Sequence, residues 1–243
     1  MEIYETDFSV VKKDDNSPLT LADTEAHKII CESLSKLTPS IPILSEESSH
    51  IDFSERSRWS QYWLVDPLDG TREFIKKNGE FTVNIALVDG NKPILGVVYV
   101  PVSETSYIAT INYGAHKSVK ENDLKKISVR KADINNITVA GSRSHGNDKQ
   151  KTFISNIKNA DILSIGSSQK FCLIAEGKAD VYPRFGPTSE WDTAAAQCIV
   201  EESGGCVVDE NFKPIQYNTK AVSYTHLRAH ETRHDLVCRL LLE

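Results

Sequence analysis

The stretch WLVDPLDGTREFIKKNGEFTVNIALV, residues 63–88, decides the fold. Its centre, Asp66-Pro67-Leu68-Asp69-Gly70-Thr71, brings two carboxylates, a rigid proline, a permissive glycine and a hydroxyl together. The apolar run Trp63–Val65 enters as a strand, and a helix-like segment, Thr71–Lys77, leaves. The pattern predicts a strand running into a loaded turn. Pro67 fixes its own φ, and Gly70 permits a backbone angle that other residues resist. Carboxylates three residues apart in such a turn can face one spot, joined by the Leu68 carbonyl. Oxygen donors of this kind suit a hard divalent cation such as Mg²⁺. Read alone, the hexapeptide also fits a plain strand-to-helix connection in which Asp69 caps amides and Asp66 is solvated.

Downstream, Phe81–Val88 and Ile94–Val100 read as strands joined at Asp89-Gly90-Asn91, a hairpin signal. Ser106–Thr110 and Gly114–Val119 continue the antiparallel pattern, and Ile127–Val129 closes this half. Upstream, Thr20–Lys36 reads as a helix ended by Thr38-Pro39. Asp23 lies in its first turn, where a carboxylate favours the helix dipole. A short strand, Ile41–Leu44, then delivers Ser45-Glu46-Glu47. Residues 48–60 are polar without periodicity and read as a loop or mobile flap.

The texture changes at residues 131–136. Beyond them strands are expected at 137–140, 161–165, 179–182 and 206–208, and helices at 148–158, 169–176 and 193–203. Strands alternating with helices make the second half α/β, packed against a more antiparallel α+β first half. The division is therefore 1–130, 131–217 and an atypical tail, 218–243.

The chain has 243 residues, enough for one large domain or two small ones sharing an interface. No apolar run reaches membrane-span length, and the start has no signal-peptide pattern. Five cysteines without a C-x-x-C pair read as thiols in a reducing compartment. The net charge of −6 argues against a nucleic-acid polymer as partner. A small anionic substrate is compatible with it, provided cations are brought to hold that substrate.

Three separated segments, Ser45-Glu46-Glu47, D-P-L-D-G-T and Trp191-Asp192 before a small-residue helix, together resemble the inositol-monophosphatase-like superfamily of metal-dependent phosphatases. The wording of LSEES, KPILGVVYVPV, SRSH and IGSSQKFCLIAEGKADVYPRFGPTSEWDTAA is similar to the bacterial 3′(2′),5′-bisphosphate nucleotidases. The resemblance runs from about Val10 to about Tyr217. It implies a layered αβαβα fold and two or three Mg²⁺ ions. The implied ligands are Glu46, Asp66, the Leu68 carbonyl, Asp69 and Asp192. Asp23 and Thr71 would orient and deprotonate the attacking water, with Glu46 also placed in the catalytic set. The Gly70 and Thr71 amides would face the scissile phosphate. Ser142, His145, Gly166 and Lys170 would contact the nucleotide, and Arg184 is a further phosphate contact. Against these stand simpler readings: Lys170 as a solvated helix lysine, His145 as a turn histidine and Arg184 as a surface arginine.

The implied activity removes the 3′-phosphate of adenosine 3′,5′-bisphosphate, and acts on its sulfated relative, in sulfur metabolism. That places the protein in the cytoplasm, with or without a peripheral hold on the inner membrane. The oligomeric state stays open. The rivals are an inositol or other polyol phosphatase and a phosphate-binding protein without turnover. At the ends, the family's first helix is expected to be mostly missing, leaving apolar surface without its cover. The tail carries His226, His230 and His234 at four-residue spacing, which on a helix would share one face. Its composition is out of register with the rest of the chain, so no metal site is assigned there; a helix over Leu236–Leu242 is expected at most.

Overall fold

Alternation along residues 62–65 sorts one strand into two cores. Tyr62 and Leu64 face one way and Trp63 and Val65 the other, since successive strand residues point to opposite faces. All four are buried. A strand buried on both faces needs a layer on each side, and that requirement sets the architecture. The computed structural model describes residues 1–6, 9–12, 18–48, 51–142, 148–220 and 227–231.

The chain opens with α1 (Glu2–Glu5), the hairpin β1 (Val10–Lys12) and β2 (Pro18–Thr20), and α2 (Leu21–Leu37). There follow β3 (Ile43–Ser45), α3 (Phe53–Arg56), β4 (Gln61–Asp69) and α4 (Thr71–Ile75). An antiparallel run comes next: β5 (Thr82–Asp89), β6 (Lys92–Val100), β7 (Thr105–Thr110), β8 (Gly114–Val119) and β9 (Lys125–Ile127). Strands β3 to β9 form a seven-stranded sheet in chain order, with only β3–β4 parallel. The remaining elements are β10 (Thr138–Ser142), α5 (Asp148–Ser155), β11 (Asp161–Ile165), α6 (Gln169–Ala175) and β12 (Val181–Arg184). Last come α7 (Ala194–Glu202), β13 (Gly205–Val208) and β14 (Leu227–Glu231). The second sheet runs β11-β10-β12-β14-β13.

The layers are α2, the large sheet, α6 with α7, the small sheet, and α5, so the αβαβα expectation holds. Trp63 and Val65 pack with Leu34 of α2. Tyr62, Leu64, Ala86 and Val98 meet Ala194, Ala195 and Ile199 of α7 in the central core. The alanines let α7 lie close to the sheet, and Gly96 of β6 completes the fit. A Cβ there would stand 2.2 Å from the Ala195 carbonyl oxygen. On the outer layer, α2 exposes Leu21, Ile29 and Leu37.

Three expectations change. Residues 51–60 are not a mobile flap. Arg56 is buried; its guanidinium donates to Asn218 Oδ1 at 2.6 Å and to the Lys220 carbonyl at 2.8 Å, and Ile51 and Trp59 pack on the core. The strand expected from Ala179 begins at Val181, because the Lys178 and Ala179 amides still return to the Leu173 carbonyl at the end of α6. His230 lies in a strand rather than on a helical face: Leu227–Glu231 pairs antiparallel with both β12 and β13. His226, His234 and the expected Leu236–Leu242 helix lie outside the described residues.

Gly96→Ala is expected to destabilise the protein by about 3 kcal/mol, since a backbone carbonyl in a packed helix cannot yield as a side chain can. A urea midpoint equal to that of the unsubstituted protein would show that α7 and β6 are not in this contact.

Candidate metal and phosphate site

The D-P-L-D segment is not a turn beyond the strand but its last part. Asp66 pairs with Asn84 and Asp69 with Thr82, so three steps on β4 face two on β5. That is a β-bulge, and Pro67 suits it because a bulge needs no ladder donor there. In an unbroken strand, residues three apart face opposite ways. The extra residue restores the phase and turns Asp66 and Asp69 to one side. The Leu68 amide then donates to Asp66 Oδ1 at 3.0 Å. Gly70 follows at φ +95, with Ser167 of the second half so near that a Cβ would lie 3.3 Å from its Cβ.

Asp23 caps α2 and also reaches Thr71. Its Oδ2 accepts the Thr20 amide at 2.8 Å and the Thr20 hydroxyl at 2.6 Å, making a capping box at the start of α2. Its Oδ1 accepts the Thr71 hydroxyl at 3.3 Å. The cap fixes one oxygen and leaves the other to the site. Glu46 arrives from β3, whose parallel pairing with β4 continues as the Glu46 amide donates to the Val65 carbonyl at 3.0 Å. Asp192 arrives from the loop before α7, its Oδ2 accepting the Ser189 amide at 2.9 Å.

These groups line one cavity of about 270 Å³, with Glu46, Asp66, Leu68, Asp69, Gly70, Thr71 and Asp192 in its wall. Gly166, Lys170 and Arg184 line it as well. Burial raises the Asp66 pKa well above the carboxylate range, and the charges of Glu46, Asp69 and Asp192 raise it further. Burial, then Asp69, pushes Asp192 up to about 8. Among the described residues no three such side chains already close on a common point. They stand around the cavity as separate oxygen donors that feel one another's charge. An all-oxygen, mutually repelling set fits hard divalent cations, which would remove the repulsion.

The proposed substrate contacts divide. Lys170 is not a solvated helix lysine: it is 4 % exposed, and burial lowers its pKa to about 8. Its ammonium donates to the Ser167 carbonyl at 2.5 Å and lies over the Tyr182 ring at 5.3 Å. Arg184 is half-buried and held in its own loop by Thr188 Oγ1 and the Pro187 carbonyl, both at 3.0 Å. Gly166 donates its amide to Glu80 Oε2 at 2.9 Å, and a Cβ there would meet the Glu80 carbonyl oxygen at 2.6 Å. Its closeness to β5's approach, not a free amide, is what this glycine contributes. Ser142 ends β10, and His145 lies outside the described residues.

Sequence reasoning passed over Ser168, Asn84 and Thr82, all buried and all within 3.5 Å of Asp69 Oδ2. The only signal in the sequence was the serine pair in G-S-S-Q-K.

A family model described as the inositol monophosphatase family matches residues 1–242. The chain belongs to that family, one of metal-dependent phosphatases. Within it, the chain is 47 % identical over 222 residues to the 3′(2′),5′-bisphosphate nucleotidase CysQ of Escherichia coli (strain K12), covering 90 % of this chain and 88 % of that protein. It is 37 % identical to the CysQ of Haemophilus influenzae over 221 residues, 90 % of this chain and 82 % of that one. Among solved structures, CysQ from Bacteroides thetaiotaomicron has a TM-score of 0.85 at 40 % identity, covering 96 % of this chain and 92 % of its own. The extragenic suppressor protein suhB from Bartonella henselae has 0.77 at 26 %, covering 97 % and 88 %.

Folding raises the pKa of Asp192, so the folded chain holds that proton more tightly than the unfolded one. The resulting stability is fully present below the unfolded carboxylate pKa and is lost as pH rises towards about 8; Asp66 acts in the same direction. Chelator-treated protein should therefore unfold more readily at pH 8 than at pH 5, and Asp192→Asn should flatten that dependence. Identical urea midpoints against pH for the two proteins would remove Asp192 from the effect.

Proposed function

We propose that the chain is a Mg²⁺-dependent phosphomonoesterase that converts adenosine 3′,5′-bisphosphate to AMP and phosphate. The observation that carries this is one cavity walled by Asp66, Asp69 and Asp192 and by the buried Lys170. The acids come from both halves, 1–130 and 131–217. A phosphate monoester brings nearly two negative charges to an already acidic place, so cations must accompany it. The similarity to nucleotidases over most of the chain supports a nucleotide as the substrate. Its sulfated relative, 3′-phosphoadenosine 5′-phosphosulfate, is a second substrate in this reading, which places the protein in sulfur metabolism. The site of action is the cytoplasm.

Glu46, Asp66, the Leu68 carbonyl, Asp69 and Asp192 would hold two or three Mg²⁺ ions. When bound, such ions neutralise phosphate charge and lower the pKa of a bound water. Asp23 keeps one oxygen on the Thr71 hydroxyl, so the pair can hold the attacking water and accept its proton. Thr71 passes its own hydrogen to Asp23 and keeps its lone pairs for that water. Lys170, desolvated beside Tyr182, would meet the second phosphate with a charge made stronger by its dry surroundings. Arg184 adds a planar donor group at the wall. Ser142 and His145 would complete the nucleotide contacts.

No helix among the described residues is long and apolar enough to cross a membrane. The four described cysteines are free thiols, and burial pushes the pKa of Cys172, Cys198 and Cys206 up, which makes them unreactive.

Mg²⁺-dependent phosphate release should be faster from adenosine 3′,5′-bisphosphate than from inositol monophosphate. The reverse order would make the protein a polyol phosphatase, and no release from either would make it a binding protein. Lys170→Ala is expected to lower kcat/KM at least tenfold more on the bisphosphate than on a simple monoester, because the lost charge faces only the second phosphate. Equal losses on both would take Lys170 out of specificity.

A further inference from the structure

We propose that Ser168 is a positioning residue that holds Asp69 in its cation-binding orientation and ties it to the Asp192 segment. The proposal deepens the metal-dependent phosphatase reading and rests on it.

Ser168 is the N-cap of α6, a place where a serine hydroxyl normally accepts the amide two or three residues on. Here it makes no such bond. Its hydroxyl is turned instead to Asp69 Oδ2 at 2.7 Å, 99 residues away in the chain, and also lies 2.9 Å from the Asp192 carbonyl oxygen. Ser167 precedes it at φ +50, a left-handed backbone that serine adopts reluctantly, and this kink sets the direction of the next residue. Helix capping and backbone ease are both set aside at one point, and what is obtained is a hydrogen bond to a carboxylate of the other half.

The hydrogen bonds also fix the direction of the proton. Asn84 Nδ2 donates to Ser168 Oγ at 3.0 Å, so the serine oxygen is already an acceptor and its single hydrogen is left for Asp69 or the Asp192 carbonyl. The Asp69 oxygen, at 2.7 Å against 2.9 Å for the Asp192 carbonyl, is the nearer acceptor. The other donors near Asp69 Oδ2, Thr82 and Asn84, stand at 3.5 Å, the long limit of a hydrogen bond. Ser168 is therefore the main restraint on that oxygen. With Oδ2 held, Oδ1 of Asp69, a residue in the cavity wall, would be the oxygen offered to a cation. Asn84 itself is 1 % exposed and its Oδ1 has no hydrogen-bond partner.

The test compares wild type with Ser168→Ala and Ser168→Cys, which keeps a weak donor of similar shape. Calorimetric Mg²⁺ binding and the Mg²⁺ dependence of phosphate release are both measured. Ser168→Ala is expected to weaken Mg²⁺ binding roughly 10-fold or more, with KM for the bisphosphate at saturating Mg²⁺ unchanged and kcat reduced. Ser168→Cys should fall between. Unfolding midpoints in chelator show whether each variant folds, and the cysteine variant carries the test if the alanine variant does not. Wild-type Mg²⁺ affinity in the folded variants, or a loss confined to KM, would overturn the proposal. The calorimetry needs no substrate, so inactive wild-type protein would count against the nucleotidase reading while leaving the result for Ser168 intact.

Discussion

Repulsion between carboxylates gathered around one cavity is the constraint on which this structure depends. Asp66 and Asp192 are raised by burial and by their acidic neighbours, so the polypeptide does not hold this arrangement because it is comfortable. It is held because everything around the acids is better packed than the acids are. Trp63 and Val65 fasten β4 to α2, while Tyr62 and Leu64 fasten it to α7, and the same four residues carry Asp66 into place. The strand is anchored on two faces before its charged end begins. Buried like charges persist only where the surroundings overdetermine them.

The two halves contribute unequally. The first supplies the bulge, the capping box of Asp23 and the end of β3, all of them local devices. The second supplies Asp192, Ser168 and Lys170 by means of helix beginnings that lean on the first half. Gly70 against Ser167, and Gly166 against Glu80, are close approaches of the two halves beside the cavity. These contacts leave no room for a side chain. Further out, Arg56 joins α3 to the Asn218 segment, while Asn218 returns its own amide to the Arg56 carbonyl at 2.6 Å and its backbone amide to Glu190 at 3.0 Å. Glu190 lies two residues before Asp192, so α3 is tied to the loop that carries Asp192 into the cavity wall.

How much of this could be read beforehand follows from the range of the interactions. Strand alternation and the hairpin at Gly90 are short-range patterns, and they were legible. The gathering of Glu46, Asp69 and Asp192 about one cavity was legible only through the resemblance, since an acidic pair after a strand reads by itself as a solvated face. The bulge was not legible: D-P-L-D reads as a turn until β5 is laid beside it and shows the extra residue. Asp23 could be read as a cap or as a site residue, and its two oxygens turn out to serve both. Ser168 was invisible because its role depends on a partner 99 residues away and on forgoing the cap that its position suggests. The role of Arg56, inside a stretch that reads as a polar loop, was hidden for the same reason, its partners lying 162 and 164 residues on.

One strand remains, β14, seated between β12 and β13 and antiparallel to both. Such a slot is read through main-chain N–H and C=O groups, which every residue but proline carries alike. It asks a segment to be extended, and asks little about which letters spell it. Without an occupant, β12 and β13 would each show a bare edge to other chains. With β14 in place, the facing edges of β12 and β13 are both paired and the small sheet runs unbroken from β11 to β13.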